Sequence, residues 1–288
     1  MLPLLKWPGG KRWLVRALAE AVGASAQTRI VEPFAGGAAL FFDLRPKTAL
    51  LGDINADLIA CYRAIRDAPD KVDSELRKLT IDRETYTDIV ATVPQADIDR
   101  AVRLIYLNRT AFGGIWRVNQ TGKFNVPFGC KPETRLPDSA SITRTSQALQ
   151  AAELYAGDFT IGLASANDSD LIYCDPPYTV AHNNNGFVRY NDRIFSWTDQ
   201  RRLSESVEAL ARGGRCVVIS NAAHSDVLKM YPRKLFARVL VYRRSNLAAD
   251  PQYRGPRQES LIVSKALVKS DKVLRDALGY RGLNIEFG

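Results

Sequence analysis

The sequence is poor in the residues that hold metal ions and build disulfide frameworks. Its 288 residues include only two histidines, His182 and His224, and four cysteines without a Cys-x-x-Cys pair. Because zinc sites draw several ligands from these two residue types, we expect no metal. Widely spaced cysteines indicate free thiols in a reducing compartment, so we expect a cytoplasmic protein.

Long apolar runs are absent as well. The stretch from Pro33 to Phe42 lies between Glu32 and Asp43, which falls far short of the ~18 residues of a membrane-spanning helix. Lysines at positions 6 and 11 predict that no signal peptide is present, and we expect no membrane partner. A hydrophobic content of 46% with 25% charged residues excludes disorder, collagen and a coiled coil.

The chain has 31 acidic residues against 40 lysines and arginines, which leaves a net charge of +9. The excess of basic residues is concentrated in two stretches of the sequence. Arg100 to Arg135 holds seven basic residues and one acid, and Lys229 to Arg257 holds eight and one. Such stretches favour a polyanionic partner, most simply nucleic acid, although two solvated basic faces would give the same pattern.

The first third of the chain has the outline of a nucleotide-binding α/β half. A short strand at Ile30-Val31 runs into a glycine turn at residues 32–37, and a helix and a second strand then lead to Asp53. Glycines let the backbone approach a ligand, and an acid at a strand end can hold ribose hydroxyls. Glu32 suits a cationic ligand better than a pyrophosphate, and no P-loop pattern occurs. A tight structural turn is the alternative.

The α/β pattern is interrupted and then resumes. Residues 56–108 read as helices, and glycines and prolines punctuate residues 109–137, where Phe124 and Val126 alternate around Asn125 as in a hairpin. Apolar strands follow at 171–174, 216–220, 239–242 and 260–263, with a helix from Thr198, a predicted N-cap, to Arg212. We predict one α/β domain, residues 1–56 and 145–288, split by an insertion at 57–144.

The strongest motif is Asp175-Pro176-Pro177-Tyr178, directly after an apolar strand. Two prolines hold the backbone rigid and leave its carbonyls free as acceptors. Asp175 and the Pro176 carbonyl can each accept an N–H of an exocyclic amine, which aims the nitrogen lone pair at an electrophile. Tyr178 offers a stacking face to an extruded base. A strand-terminating turn is the alternative.

Together these motifs resemble the Dam-type DNA adenine N6-methyltransferases. The blocks at 5–11, 32–37, 53–58, 157–159 and 175–178 occur in that family's order, and residues 106–129 are similar to its recognition hairpin. The resemblance runs from Leu5 to Val263. It implies a Rossmann-like methyltransferase with a mixed seven-stranded sheet and an inserted helical target-recognition domain carrying a β-hairpin. Such an enzyme transfers a methyl group from S-adenosylmethionine to the N6 amine of a flipped adenine in duplex DNA, as in restriction-modification systems.

The resemblance also assigns residues by position. It places Trp7, Gly10, Lys11, Glu32, Phe34, Gly36, Asp53, Ile54, Asp158, Phe159 and Asp175 at the methyl donor. It places Asp175, Pro176, Pro177 and Tyr178 at the target adenine. It places Lys6, Arg109, Trp116, Arg117, Asn119, Lys123, Asn125, Pro127 and Arg244 at DNA, although Trp116 suits packing under the hairpin equally well. Thr121 stands where members that read GATC tend to carry an arginine, and threonine cannot pair with both guanine acceptors.

Three other functions fit the same residues. The Asp175 turn could hold cytosine, which gives an N4-cytosine methyltransferase, or the substrate could be RNA. From a different class, the chain could be a DNA-binding module without turnover. A cytosine carbon-5 enzyme is disfavoured, because no Pro-Cys dipeptide occurs to supply its nucleophilic thiol. No apolar surface stripe is evident, so we expect a monomer.

Overall fold

A single mixed β-sheet forms the centre of the protein. The computed structural model describes residues 3–7, 9–25, 28–119, 121–178, 195–244, 256–279 and 284–287. The strands are β1 (Ile30–Glu32), β2 (Ala49–Asp53), β3 (Ala152–Ala156), β4 (Leu171–Cys174), β5 (Cys216–Ala222), β6 (Phe236–Arg244), β7 (Pro256–Ser264) and β8 (Asn284–Phe287). They lie in the order β3-β2-β1-β4-β5-β7-β6-β8. The predicted mixed α/β sheet is confirmed, and β8 adds an edge strand to the seven that were expected.

The strand pairing brings the polar strand ends to one edge. Strands β3, β2, β1, β4 and β5 run parallel, whereas β7 pairs antiparallel with both β5 and β6. Every residue of β1 and β4 is buried, as is typical of parallel strands covered on both faces. Because β1, β2 and β4 point the same way, their carboxyl ends place Glu32, Asp53 and Asp175 beside one another.

Helices cover the sheet, and their ends are set by local capping. In the described part of the α/β region they are α1 (Val15–Ala21), α2 (Ala39–Leu44), α8 (Phe159–Ala164), α9 (Trp197–Arg212), α10 (Ser225–Lys229) and α11 (Asp271–Gly279). The prediction that Thr198 caps its helix is wrong. Ser196 is the N-cap of α9, because its hydroxyl accepts from the backbone of Asp199 and the Asp199 carboxylate reciprocates in a capping box.

The segment between β2 and β3 is helical up to Thr110. It contains α3 (Ala56–Asp67), α4 (Pro69–Arg77), α5 (Arg83–Ala91) and α6 (Asp97–Thr110), and α7 (Ser139–Leu149) leads back to the sheet. Between α6 and α7 the predicted hairpin consists of two isolated antiparallel bridges, Ala111 to Phe128 and Val118 to Phe124. The boundaries of the insertion at residues 57 and 144 stay a prediction. No helix in the described ranges is long and apolar enough to cross a membrane.

Candidate active site

A cleft of about 800 Å³ opens at the carboxyl ends of β1, β2 and β4. Every residue that the sequence assigned to the methyl donor or to the target base lines it. These are Trp7, Gly10, Lys11, Glu32, Phe34, Gly36, Asp53, Ile54, Asp158, Phe159, Asp175, Pro176, Pro177 and Tyr178. Of the residues assigned to DNA whose side chains the structure describes, only Trp116 lines the same cleft. The sheet therefore gathers the distant sequence blocks into one site.

Asp53 organises the glycine turn after β1. Its Oδ2 accepts a hydrogen bond from the backbone N–H of Gly36 at 3.0 Å, and its Oδ1 accepts from Asn55 at 2.9 Å. Burial raises the pKa of Asp53, and the two backbone donors oppose that shift. The hydroxyl of Tyr62 donates to the Gly36 carbonyl at 2.7 Å. The carboxylate and the turn thus form one rigid unit.

Gly36 permits Trp7 to lie against the turn. Its φ is +48°, in the left-handed region that favours glycine. A Cβ atom at this position would lie 2.8 Å from Cδ1 of the Trp7 ring, closer than atoms can approach. The glycine is therefore required both by the backbone conformation and by the contact with Trp7.

Glu32 lies at the end of β1 with only 2% of its surface exposed. Its Oε1 accepts from the backbone N–H of Phe41 in the first turn of α2, at 2.8 Å. Burial raises the pKa of Glu32 to about 8, and the hydrogen bond from Phe41 offsets only part of that effect. The side chain that the sequence read as a counter-charge for a cationic ligand therefore titrates near neutral pH.

An aromatic slot closes one side of the cleft. The rings of Phe34 and Phe159 stack at 5.3 Å between centroids, and Phe195 meets both edge-on. Ile54 is 63% exposed nearby on the rim. Because the Phe34 and Phe159 rings already contact each other, a planar ring would pack against the apolar face that they present to the cleft, which we call the aromatic slot.

Asp158 supplies the slot with a carboxylate. Its Oδ1 caps α8 by accepting from the backbone and the hydroxyl of Thr160, and it also accepts from Arg202 at 3.0 Å. Burial would raise the pKa of Asp158, but these hydrogen bonds outweigh it and hold the pKa below its ordinary value. The Arg202 guanidinium also lies 5.0 Å from the centre of the Phe159 ring. A fixed, ionised acceptor therefore adjoins the slot.

Lys11 contacts the turn from Asp175 to Tyr178. Its Nζ lies 2.9 Å from Oδ1 of Asp175, donates to the Gly9 carbonyl at 2.8 Å, and stands 5.1 Å from the centre of the Tyr178 ring. The side chain is only 2% exposed. Burial, the largest single effect, would lower the pKa of Lys11, but Asp175, Tyr178 and Glu259 together outweigh it and the pKa is raised. The buried ammonium is therefore a fixed partner of Asp175.

The cleft also holds residues that the sequence reasoning missed, among them Tyr173, Phe195, Gln258 and Glu259. Glu259 is 3% exposed, and its Oε2 lies 3.6 Å from Nζ of Lys11. The sequence predicted this strand only from Ser260, whereas β7 begins at Pro256. A charged residue directly before an apolar run was the available signal.

Lys6 and Arg109, both predicted to contact DNA, lie where the insertion meets the first residues of the chain. Asn108, buried in α6, accepts from the backbone N–H of Lys6 at 2.9 Å and donates to the carbonyls of Lys6 and Gly114. The Lys6 side chain is exposed. Arg109 donates to the Leu4 carbonyl at 2.7 Å, so its guanidinium is engaged within the protein. Their contacts with DNA stay a prediction.

Except for Arg244, the remaining residues predicted to contact DNA lie on the hairpin. Oδ1 of Asn119 accepts from the backbone of Thr121 and of Lys123 and from the Thr121 hydroxyl, which closes the turn. Arg117 donates to the Asn125 side chain at 2.9 Å. These polar side chains are therefore held in place by one another.

Trp116 packs under the hairpin, one of the two roles that the sequence allowed for it. It is 8% exposed, and its ring lies 5.2 Å from that of Phe124. The Pro127 carbonyl accepts from the backbone of Phe112, whose own ring is 53% exposed. The side chain of Arg244, at the end of β6, lies outside the described residues.

Comparison with known proteins identifies relatives of the chain. A family model described as D12 class N6 adenine-specific DNA methyltransferase matches residues 7–245. The chain is 32% identical over 239 residues to the type II methyltransferase M1.LlaDCHI of Lactococcus lactis subsp. cremoris, covering 80% of this chain and 84% of that one. It is 28% identical over 276 residues to the type II methyltransferase M.MjaIII of Methanocaldococcus jannaschii, covering 88% and 96%. A DNA adenine methylase of Vibrio cholerae is 31% identical over 234 residues, covering 79% and 83%.

Proposed function

Because the chain belongs to the D12 class of N6 adenine-specific DNA methyltransferases, we propose that it draws an adenine out of duplex DNA into the Asp175 pocket and methylates its N6 amine with S-adenosylmethionine as donor. One observation carries this proposal. The turn from Asp175 to Tyr178 lines the same cleft as Asp53, Asp158 and the glycine turn. An acceptor for an exocyclic amine and a set of groups suited to a nucleoside donor therefore face one space.

The residues at one end of the cleft fit S-adenosylmethionine. The slot of Phe34 and Phe159 suits its adenine ring, with the Asp158 carboxylate beside it, and Asp53 suits the ribose hydroxyls. The glycine turn lets the backbone approach the rest of the donor without side chains in the way. The buried hydroxyl of Tyr173 has no hydrogen-bond partner among the described residues, which leaves it available to a ligand in the cleft. When bound, the donor supplies a methyl group on a positively charged sulfur.

Asp175 and the turn that follows it would bind and orient the target base. Lys11 holds Oδ1 of Asp175, so Oδ2 and the Pro176 carbonyl are the acceptors for the two N–H groups of an adenine amine. Accepting both hydrogens turns the nitrogen lone pair out of conjugation and toward the donor. Catalysis then rests on positioning two bound reactants and on negative charge beside the amine as that amine becomes positive.

The basic excess and the hairpin supply the expected contacts with duplex DNA. We expect the exposed Lys6 side chain and the hairpin residues Arg117 and Lys123 to contact phosphates and base edges. Trp116, which lines the cleft from the hairpin side, connects this surface with the catalytic turn. In this view DNA binding and base capture use adjoining parts of one surface.

Product analysis tests the proposal. The protein is mixed with unmethylated genomic DNA and methyl-labelled S-adenosylmethionine, the DNA is digested to nucleosides, and the labelled base is identified. We expect label in N6-methyladenine and none with the Asp175→Ala variant. Label in N4-methylcytosine would overturn the substrate. Absence of label in any base, with donor binding intact, would overturn the reaction and favour an RNA substrate or a binding module.

A further inference from the structure

Glu259 reaches the catalytic turn from a different part of the sheet. Asp175 follows β4, which pairs with β5, and β5 in turn pairs with β7, where Glu259 lies opposite Ala222. The next residue of β7, Ser260, donates its hydroxyl to the carbonyls of Asn221 and Ala222 at 3.2 and 3.1 Å. The backbone that carries Glu259 is therefore anchored to the end of β5, and its side chain is directed at Lys11.

The three charged groups form one buried cluster, which we call the Lys11 cluster: Lys11, Asp175 and Glu259. Nζ of Lys11 lies 2.9 Å from Asp175 and 3.6 Å from Glu259, and it also donates to the Gly9 carbonyl at 2.8 Å and lies 5.1 Å from the centre of the Tyr178 ring. Lys11 and Glu259 are 2% and 3% exposed. A second carboxylate is not needed to neutralise the ammonium, and burying it has a substantial cost in desolvation.

The surplus carboxylate has a consequence for the reaction. Because Lys11 is shared with Glu259, it neutralises less of the charge that Asp175 presents to the target amine as that amine becomes positive. The ammonium is also divided between two acceptors, so it withdraws less electron density from Asp175 than an exclusive partner would. A buried ion pair with Asp175 alone would lack both properties.

We propose that Glu259 is a positioning residue of the methyl transfer, which holds Lys11 between itself and Asp175 and keeps Asp175 a strong acceptor for the adenine amine. This inference rests on the proposed function of the cleft. Glu259 itself touches neither the base nor the donor in this account. It acts only through Lys11, and that dependence can be measured.

The test compares Glu259→Gln, Glu259→Asp and a matched control in single-turnover methylation at saturating DNA and donor. We expect Glu259→Gln to slow the transfer by about tenfold or more, while the Kd for S-adenosylmethionine changes by less than about threefold. Glu259→Asp keeps the charge and should recover part of the rate. The control is Asp170→Asn, which removes a carboxylate that is 1% exposed, paired with Arg29 and outside the cleft. It should lower the melting temperature without changing the transfer rate.

A double-mutant cycle with Lys11→Met separates positioning from a general structural effect. If Glu259 acts through Lys11, Glu259→Gln causes no further loss in the Lys11→Met background, or partly restores the rate because it removes an uncompensated charge. An equal fold loss in both backgrounds overturns the inference, and so does a wild-type rate in Glu259→Gln. A wild-type protein that makes no N6-methyladenine overturns the proposed function itself, so the two failures are distinguishable.

Discussion

Lys11 and Asp175 form an ion pair on the floor of the cleft, with 2.9 Å between Nζ and Oδ1. The contact joins the first residues of the chain to the turn after β4. It engages one oxygen of the carboxylate, and the Asp175 side chain remains 19% exposed. The pair therefore fixes the orientation of the group that would accept the target amine.

We predict that Asp175→Ala abolishes methylation and spares donor binding. The variant removes an acceptor that strengthens as the amine becomes positive, and the loss of one such group lowers rates by about 100- to 1000-fold. Lys11 keeps Glu259 as a counter-charge, so the fold should survive. Single-turnover assays and calorimetric titration with S-adenosylmethionine measure the two effects. A normal turnover rate would contradict the mechanism.

Gly36→Ala should lose stability and donor binding together. Its φ of +48° costs an alanine about 1–2 kcal/mol, and the contact of its Cβ with the Trp7 ring adds about 1–3 kcal/mol of overpacking. Gly23→Ala is the matched control, since Gly23 has a φ of +71° but nothing within 4 Å of a Cβ. Thermal unfolding and donor titration of both variants separate backbone strain from the clash. Equal destabilisation of the two would show that Trp7 imposes no constraint.

The sequence predicted those parts of the site that follow strands. Glu32, Asp53 and Asp175 each come at or directly after the end of a parallel strand, so their meeting at one edge follows from the topology. The Lys11 ion pair could not be predicted in this way, because Lys11 precedes the first strand and no periodicity indicates where its ammonium lies. The sequence assigned Lys11 to the donor region without its partner.

Three other features of the structure differ from what the sequence predicts, and each depends on contacts within the folded chain. Glu32 reads as a charged group in the sequence, and only the packing of α2 over it shows a side chain that is 2% exposed. Glu259 directly precedes the apolar run from which the sequence predicts its strand. Its place inside β7 depends on pairing with β5 and β6, which are distant in sequence. The N-cap at Ser196 has a signal in the sequence, because Asp199 follows at the three-residue spacing of a capping box.

Asn108→Asp should weaken the attachment of the insertion to the first residues of the chain. An aspartate keeps the acceptor for the Lys6 backbone but loses both donors, to the Lys6 and Gly114 carbonyls. Asn108 is 1% exposed, so we expect a loss of about 1–3 kcal/mol in the free energy of unfolding. Because these hydrogen bonds hold the backbone of Lys6, whose exposed side chain is expected to contact DNA, the KM for DNA should rise while the Kd for the donor is unchanged. An unchanged KM for DNA would show that Lys6 is not presented in this way.

Glu32 should make the stability of the protein depend on pH, and Glu32→Gln should remove that dependence. Burial raises the pKa of Glu32 to about 8 in the folded chain, from 4.5 as its ordinary value. The folded state therefore binds a proton more tightly than the unfolded state, so this contribution to stability is complete below pH 4.5 and is lost as the pH rises to about 8. Glutamine can still accept from Phe41 and has no charge to bury. Chemical denaturation of both proteins from acid to alkaline pH measures this difference. We expect similar free energies of unfolding at acid pH. Above pH 8 the variant should be more stable than the wild type by a few kcal/mol. A difference that is constant with pH would mean that the Glu32 carboxyl does not titrate in this range.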